Sequence, residues 1–506
     1  MEPPSFSNVI LPLIFCIILV LLLKKLITPK TSKTIHLPPS PWKLPIIGNI
    51  HHLLGGHPHR KLRDLSNKYG PLLHLQLGEI NHIIITSSEL ARKVMKTHDI
   101  NFASRPEFLA TKILYYNSSD IGFSPYGKYW SQLRKICTVE LLSAKRVESF
   151  SFIRKEEGDN LVDKIRMASG SPVNLTKMFL SLAYSTVSRA AFGKECTQQK
   201  KFLNAMKEAF KHLSGFSIVD FYPSLGFVGE LTGLRARLER VHQHLDEILE
   251  EIFEEHQTKN LRGDGIGEDI VDVLLRLADH GELDISLTRD NIKAVILVSN
   301  SSLTLPKKGG TDTSSSTLEW AMSELIQHPK IMQKVQSEVR NVFKEKENME
   351  KGEANKFPYL NNVIKETLRL HPVAPLLAPR LCRETIELEG YTIPTGSRIV
   401  INAWAIMREP TYWVDPESFR PERFEKVEFD FKGSKFEYIP FGGGRRICPG
   451  IAFAITGIEY WLSQLLFHFD WKLPGGKRPE DLDMKEIFGL TISRKNDLLL
   501  LATPRK

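Results

Sequence analysis

Ten residues near the C-terminus restrict this chain more than any other feature. They read Phe441-Gly442-Gly443-Gly444-Arg445-Arg446-Ile447-Cys448-Pro449-Gly450. An apolar helical run follows at once through Ile451, Phe453, Ile455, Ile458, Leu462 and Leu465. The three glycines permit a sharp turn and a close approach of backbone to a bulky ligand. Cys448 therefore sits just before a helix N-terminus and two residues after Arg446. Both neighbours favour the thiolate over the thiol. A thiolate held this way is a metal ligand or a nucleophile; a glycine-rich loop with a structural cysteine is the plain alternative. A G-x-G-x-x-G nucleotide fingerprint fails, because Ile447 stands where its third glycine belongs.

The chain around this loop has 506 residues, 42% hydrophobic and 25% charged, which is ordinary globular composition. A mean hydropathy of −0.19 excludes a polytopic membrane protein, so any membrane contact is local. Residues 3–23 carry no charge, run Val9 to Leu23 without a polar break, and are followed by Lys24, Lys25 and Lys30. That length and flank predict a transmembrane anchor with the long C-terminal part in the cytosol. Residues 24–45 are a basic and proline-rich connector ending Pro38-Pro39-Ser40-Pro41-Trp42-Lys43-Leu44-Pro45, whose prolines stiffen it. From residue 46 to 506 no further linker or repeat occurs, which predicts one large domain. Strand-like runs lie at 72–77, 83–86, 385–393 and 397–402, and helical spacing at 234–255, 318–327, 330–344 and 360–370. The fold class is thus mainly α with a small β portion.

Sixty-eight Lys and Arg against fifty-nine Asp and Glu give a net +9, spread along the chain. This suits a membrane surface or an acidic protein partner and argues against nucleic acid. The five cysteines (16, 137, 196, 382 and 448) include no C-x-x-C pair, against a disulfide framework or a cysteine zinc site.

The cysteine loop matches the F-x-x-G-x-R-x-C-x-G signature of the cytochrome P450 family, and the resemblance extends over nearly the whole chain. Glu366-Thr367-Leu368-Arg369 resembles the family's E-x-x-R, Pro421-Glu422-Arg423-Phe424 its P-E-R-F, and Trp130-Ser131-Gln132-Leu133-Arg134 its W-x-x-x-R. The phrases His371-Pro372, Pro379-Arg380 and Phe436-Glu437-Tyr438-Ile439-Pro440 are similar to plant endoplasmic-reticulum P450s that oxidise terpenoids and alkaloids. The resemblance implies a haem-thiolate fold behind the anchor, with haem b as cofactor and Cys448 as axial iron ligand. Trp130, Arg134, Arg380 and Arg446 would hold the haem propionates, and Phe441 opens the haem-binding loop. Glu366, Arg369 and Arg423 would form a structural charged triad. Glu417 and Arg420 share the E-x-x-R spacing and read as a surface pair.

The implied activity inserts one atom of O2 into a small apolar plant metabolite. The chain has no flavin or nicotinamide motif, so electrons would come from NADPH through NADPH-cytochrome P450 reductase. Lys128, Lys135, Lys432, Lys435 and Arg445 are candidates for docking that partner. Asp312 and Thr313, in Gly310-Thr311-Asp312-Thr313-Ser314, resemble the family's catalytic acid–alcohol relay. Substrate contacts by position fall in 106–119, 202–221, 373–377 and 488–491. The implied location is the endoplasmic reticulum membrane, single-pass, with the catalytic domain cytosolic.

One stretch departs from the family. The helix expected to run on toward Gly310 is instead interrupted by Val298-Ser299-Asn300-Ser301-Ser302-Leu303-Thr304-Leu305-Pro306-Lys307-Lys308-Gly309. Pro306 opposes a helix interior, and the polar run competes for backbone hydrogen bonds. The expectation is a loop over 298–308 with the helix restarting near Gly309 or Gly310. A natural insertion or a translated intron would explain it; Val-Ser is what a GTAAGT splice donor encodes in frame, and the second reading is preferred. The alternative function is a catalytically impaired homologue or a haem-binding protein.

Overall fold

The structure is a computed structural model that describes residues 36–193, 199–210, 217–262, 268–279, 286–301, 313–345, 357–489 and 491–505. The anchor expected at 3–23 lies outside these residues. Among the described ones, no helix is long and apolar enough to cross a membrane.

Helix predominates, and the expected strand runs at 72–77, 83–86, 385–393 and 397–402 all contain strand. Further short strands at Pro172–Asn174, Arg380–Leu381, Phe469–Lys472, Glu486–Phe488, Ile492–Arg494 and Leu499–Pro504 were not expected. Leu72–Leu77 (β1) and Ile80–Ile85 (β2) pair antiparallel, Leu72 opposite Ile85 and Leu77 opposite Ile80. Gly78, in the turn, takes φ +63°, and a Cβ there would meet the Phe221 carbonyl oxygen at 2.5 Å, so only glycine fits. Arg380–Leu381 forms β3. The run 385–393, which reads as one strand, is two: Ile386–Leu388 (β4) and Tyr391–Ile393 (β5) pair across Glu389-Gly390, both at positive φ. Glu-Gly lacks the usual Asn-Gly turn signal, which is why the alternation alone hides the hairpin. Arg398–Ile401 (β6) joins β2 in parallel and β3 antiparallel, giving a four-stranded sheet in the order β1-β2-β6-β3.

Nine helices position the site: Leu109–Leu114 (α1), Lys128–Ile136 (α2), Leu175–Phe192 (α3), Leu234–Arg262 (α4), Arg289–Ser301 (α5), Thr313–Gln327 (α6), Pro329–Glu345 (α7), Pro358–Leu370 (α8) and Ile451–His468 (α9). Helix α6 is the centre. Every residue from Ser315 to Ile326 is buried, and the helix packs on α3, α8 and α9. A helix buried all round must satisfy its polar side chains internally. The Thr317 hydroxyl accordingly donates to the Thr313 carbonyl (2.9 Å), Ser323 to Glu319 (2.7 Å) and Ser316 to Ile492 (2.9 Å).

The anomalous stretch behaves differently from expectation at its start. Helix α5 continues through Val298 to Ser301, so residues 298–301 are helical and not loop. Intrinsic propensity is a weak prior. The buried Ile292 and Ala294–Leu297 seat the helix, and its last turn carries the polar residues. Residues 302–312, including Pro306, Gly309, Gly310 and Asp312, lie outside the described residues.

Candidate functional site

The Cys448 loop folds back on itself. The Cys448 amide donates to the Phe441 carbonyl (3.1 Å), and Phe441 packs edge-on against Phe431. Gly444, at φ +66°, would place a Cβ 1.8 Å from the Met95 carbonyl oxygen. This glycine permits a close approach to the protein's own backbone. The Arg445 amide completes the join by donating to Asp99 (2.8 Å).

The cation serving Cys448 also differs from expectation. Arg446 turns away from the sulfur: its guanidinium donates to the carbonyls of Ala103 (2.6 Å), Ile121 (3.2 Å) and Ser124 (2.5 Å), and stacks over Trp130. Arg134, from α2, is the residue that reaches the loop, donating to the Ile447 carbonyl at 2.6 Å. Burial pushes the Cys448 thiol up; the Gly450 amide and Arg134 act against it. Sequence neighbours two apart in an irregular loop point different ways, whereas a helix one layer away supplies the charge.

Trp130 is buried and donates its indole N–H to the same Ile121 carbonyl (3.0 Å). Arg380 donates to Asp99 (3.0 Å) and to the Gly443 carbonyl (2.8 Å). The structure thus brings Trp130, Arg134, Arg380 and Arg446 round the cysteine loop. It adds two residues that the sequence reading missed. Arg105, fully buried, donates to the carbonyls of Gly122, Ala378 and Pro379. Asp99 ties Arg380 to the loop. Nothing in residue type marks Arg105 among the basic residues of the sequence.

This cluster holds more positive charge than its acids meet. Arg105, Arg380 and Arg446 are at most 9% exposed. Burial lowers the pKa of all three, that of Arg446 to about 9, with mutual repulsion adding to it at Arg105 and Arg446. Asp99 takes one arginine; Asp120 spends Oδ1 on the amides of Gly122 and Phe123, and its buried Oδ2 has no partner. A buried cationic surplus around the loop of a half-buried thiol fits a group carrying two carboxylates and a thiolate-ligated metal. Haem is such a group.

Glu366 and Arg369, both fully buried on α8, form a two-pronged pair at 2.7 and 2.9 Å, and Arg423 joins Glu366 at 3.1 Å. Arg369 also donates to the carbonyls of Met407, Pro416 and Ser418, sewing α8 to the segment leading to the cysteine loop. Glu417 and Arg420 are exposed, as read, but do not pair: Glu417 takes Arg408 and Arg63, and Arg420 takes Asp415.

Thr313 opens α6. Asp312 lies outside the described residues. Lys128, Lys135, Lys432, Lys435 and Arg445 are exposed, the last leaning on Asp99 at 3.5 Å. Among the substrate segments, the Ile492 amide donates to the Val373 carbonyl, joining 373–377 to the strand after 488–491. Phe202, by contrast, is core, edge-on to Phe192, because α4 covers it.

The family profile described as Cytochrome P450 matches residues 38–501. The chain belongs to the cytochrome P450 family. It is 50% identical to premnaspirodiene oxygenase of Hyoscyamus muticus over 478 residues, covering 94% of each chain. It is 48% identical to 5-epiaristolochene 1,3-dihydroxylase of Nicotiana tabacum, again over 94% of each, and 47% identical to germacrene A hydroxylase of Barnadesia spinosa over 97% of this chain and 96% of that one. A zebrafish cytochrome P450 solved with progesterone superposes with a TM-score of 0.73 at 23% identity, over 89% of this chain and all of that one. The P450 fold and the haem-dependent monooxygenase class follow from these matches.

Proposed function

We propose that this P450 hydroxylates an apolar terpenoid, with electrons from NADPH delivered by a membrane-bound reductase. The observation that carries the proposal is the near-full-length similarity to plant terpenoid oxygenases, joined to a half-buried thiol in a loop that buried surplus arginines surround. Haem ligated by a cysteine thiolate supplies the dioxygen chemistry that places one oxygen atom in a C–H bond. In this reading Cys448 would ligate the haem iron through its sulfur, and Arg105, Arg134, Arg380 and Arg446 would hold the propionate carboxylates, with the Trp130 N–H exchanging the Ile121 carbonyl for one of them. The hydroxyl of Thr313, at the first turn of α6, would pass a proton from the Asp312 carboxyl toward the distal face. Residues 3–23 would anchor the chain in the endoplasmic reticulum membrane, with 24–45 as connector and 46–506 as cytosolic catalytic domain. A groove of about 1110 Å³ lined by Leu53, Leu54, Leu77, Phe221, Ile487 and Phe488 is the way in for a lipid-dissolved substrate. Exposed Trp42 and Leu54 extend its apolar rim.

Microsomes holding the full chain and a plant P450 reductase test this with premnaspirodiene, 5-epiaristolochene and germacrene A. At least one should give a NADPH-dependent monohydroxylated product. The same assay on a chain with 298–309 replaced by Asp-Ile-Phe-Ala-Ala should show higher turnover and tighter coupling of NADPH use to product, because the segment between α5 and α6 then lacks Pro306 and the polar run. Equal turnover marks 298–309 as a tolerated natural feature. A repaired chain that shows a thiolate-type spectrum but oxidises none of the panel defeats the terpenoid proposal. Removing residues 1–28 should release most of the protein from membranes with haem retained. Release accompanied by loss of haem would contradict a separate anchor.

A further inference from the structure

Lys293, on α5, is 2% exposed, and a buried ammonium requires partners. It pairs with Asp246 and, at 2.7 Å, with Glu250, both on α4. Asp246 accepts a second hydrogen bond, from the Tyr116 hydroxyl at 2.5 Å. Burial alone would raise the Asp246 carboxyl, yet the bonds from Lys293 and Tyr116 hold it below its ordinary range. The Tyr116 ring meets His242 of α4 edge-on, with centroids 4.6 Å apart. None of these residues belongs to the haem cradle.

Tyr116 begins an unusual turn. Tyr116, Asn117 and Ser118 have φ of 48°, 60° and 55°, three successive non-glycine residues in the left-handed region. Such a run persists only where its surroundings over-determine it. Locally the Asn117 amide donates to Lys112, the Ser119 amide to Tyr115, and the Ser118 hydroxyl to Thr111 (3.2 Å). Two ties reach other layers: Tyr116 to Asp246 of α4, and the Tyr129 hydroxyl of α2, which donates to the Ser119 carbonyl (2.6 Å). Directly after the turn come Ile121 and Gly122, whose carbonyls receive Trp130, Arg446 and Arg105. A Cβ on Gly122 would lie 3.5 Å from Val298 of α5. The strained turn therefore stands between α1 and the strip joining the arginine cluster to α5.

We infer that Tyr116 is a positioning residue: its hydroxyl, held by Asp246 over the buried Lys293, pins the segment from α1 to Phe123 and so sets the shape of the substrate pocket. This rests on the proposed reading that 106–119 lines that pocket. The bond is charge-assisted and is the hydrogen bond that ties this turn to α4, so its loss is felt locally.

The test uses the full-length holoenzyme and two size-conserving variants, Tyr116→Phe, which keeps the ring on His242, and Asp246→Asn. Hydrogen–deuterium exchange of the amides 117–123 should quicken about tenfold in each variant, the scale of losing a hydrogen bond to a charged group. Exchange in α6 and the carbon monoxide spectrum should stay as in the parent. The affinity for 4-phenylimidazole, read from the Soret shift, should change by about threefold or more. Exchange within about twofold of the parent, an unchanged azole affinity, or equal loosening of α6 would each overturn the inference. Neither readout needs turnover, so their failure concerns Tyr116 and leaves the terpenoid assignment untouched.

Discussion

Cys448→Ser is expected to eliminate the strongly red-shifted carbon monoxide band of the reduced protein, and all oxygenation with it. A serine hydroxyl is not ionised at neutral pH and donates far less electron density to iron than a thiolate. The other described cysteines serve as controls. Burial pushes the Cys137 thiol up to about 12 and the Cys382 thiol up to about 11, so both stay protonated and pack as small apolar groups. Cys137→Ala and Cys382→Ala should keep the thiolate spectrum. A normal red-shifted band in Cys448→Ser would remove the basis of the ligand assignment.

The second large effect belongs to the buried triad. Glu366→Gln leaves Arg369 with no counter-charge at 0% exposure, its carbonyl partners unchanged. Breaking a buried pair from one side costs about 3–5 kcal/mol. Because the same arginine fastens α8 to Met407, Pro416 and Ser418, the loss should appear as a collapse in the yield of haem-loaded protein. Arg369→Lys should fare no better, since an ammonium cannot span both carboxylate oxygens and three carbonyls. Haem-loaded yield and denaturant midpoint measured on both variants decide it: values matching the parent would show that the triad is dispensable.

What could be read from residues alone was whatever rests on local pattern. The strand Leu72–Leu77, the end of α6 at Gln327, the α8 helix around Glu366-Arg369 and the start of α9 after Gly450 follow from periodicity, a breaker or a glycine–proline stop, all of which act within a few residues. The E-x-x-R spacing put Glu366 and Arg369 on one helix face, and they do pair there. The same spacing at Glu417 and Arg420 gives no pair, because that stretch is not helical and other arginines lie closer.

Four features depended on neighbours far off in the chain. Arg134, not Arg446, serves the cysteine, because α2 packs its end against Ile447 while Arg446 finds three carbonyls between residues 103 and 124. Gly444 is required by a carbonyl at Met95, and Arg105 joins the cationic cluster only because packing brings Arg380 and Arg446 beside it. The Tyr116–Asp246–Lys293 network joins three elements that no motif connects. Periodicity and motif order located several helices, the strands Leu72–Leu77 and Arg398–Ile401, and the cysteine loop, since backbone geometry acts over a turn or two. Which cation faces which anion was left to packing, because burial strips water from charges and lets only groups a few ångströms apart in space, at any separation in sequence, compensate them.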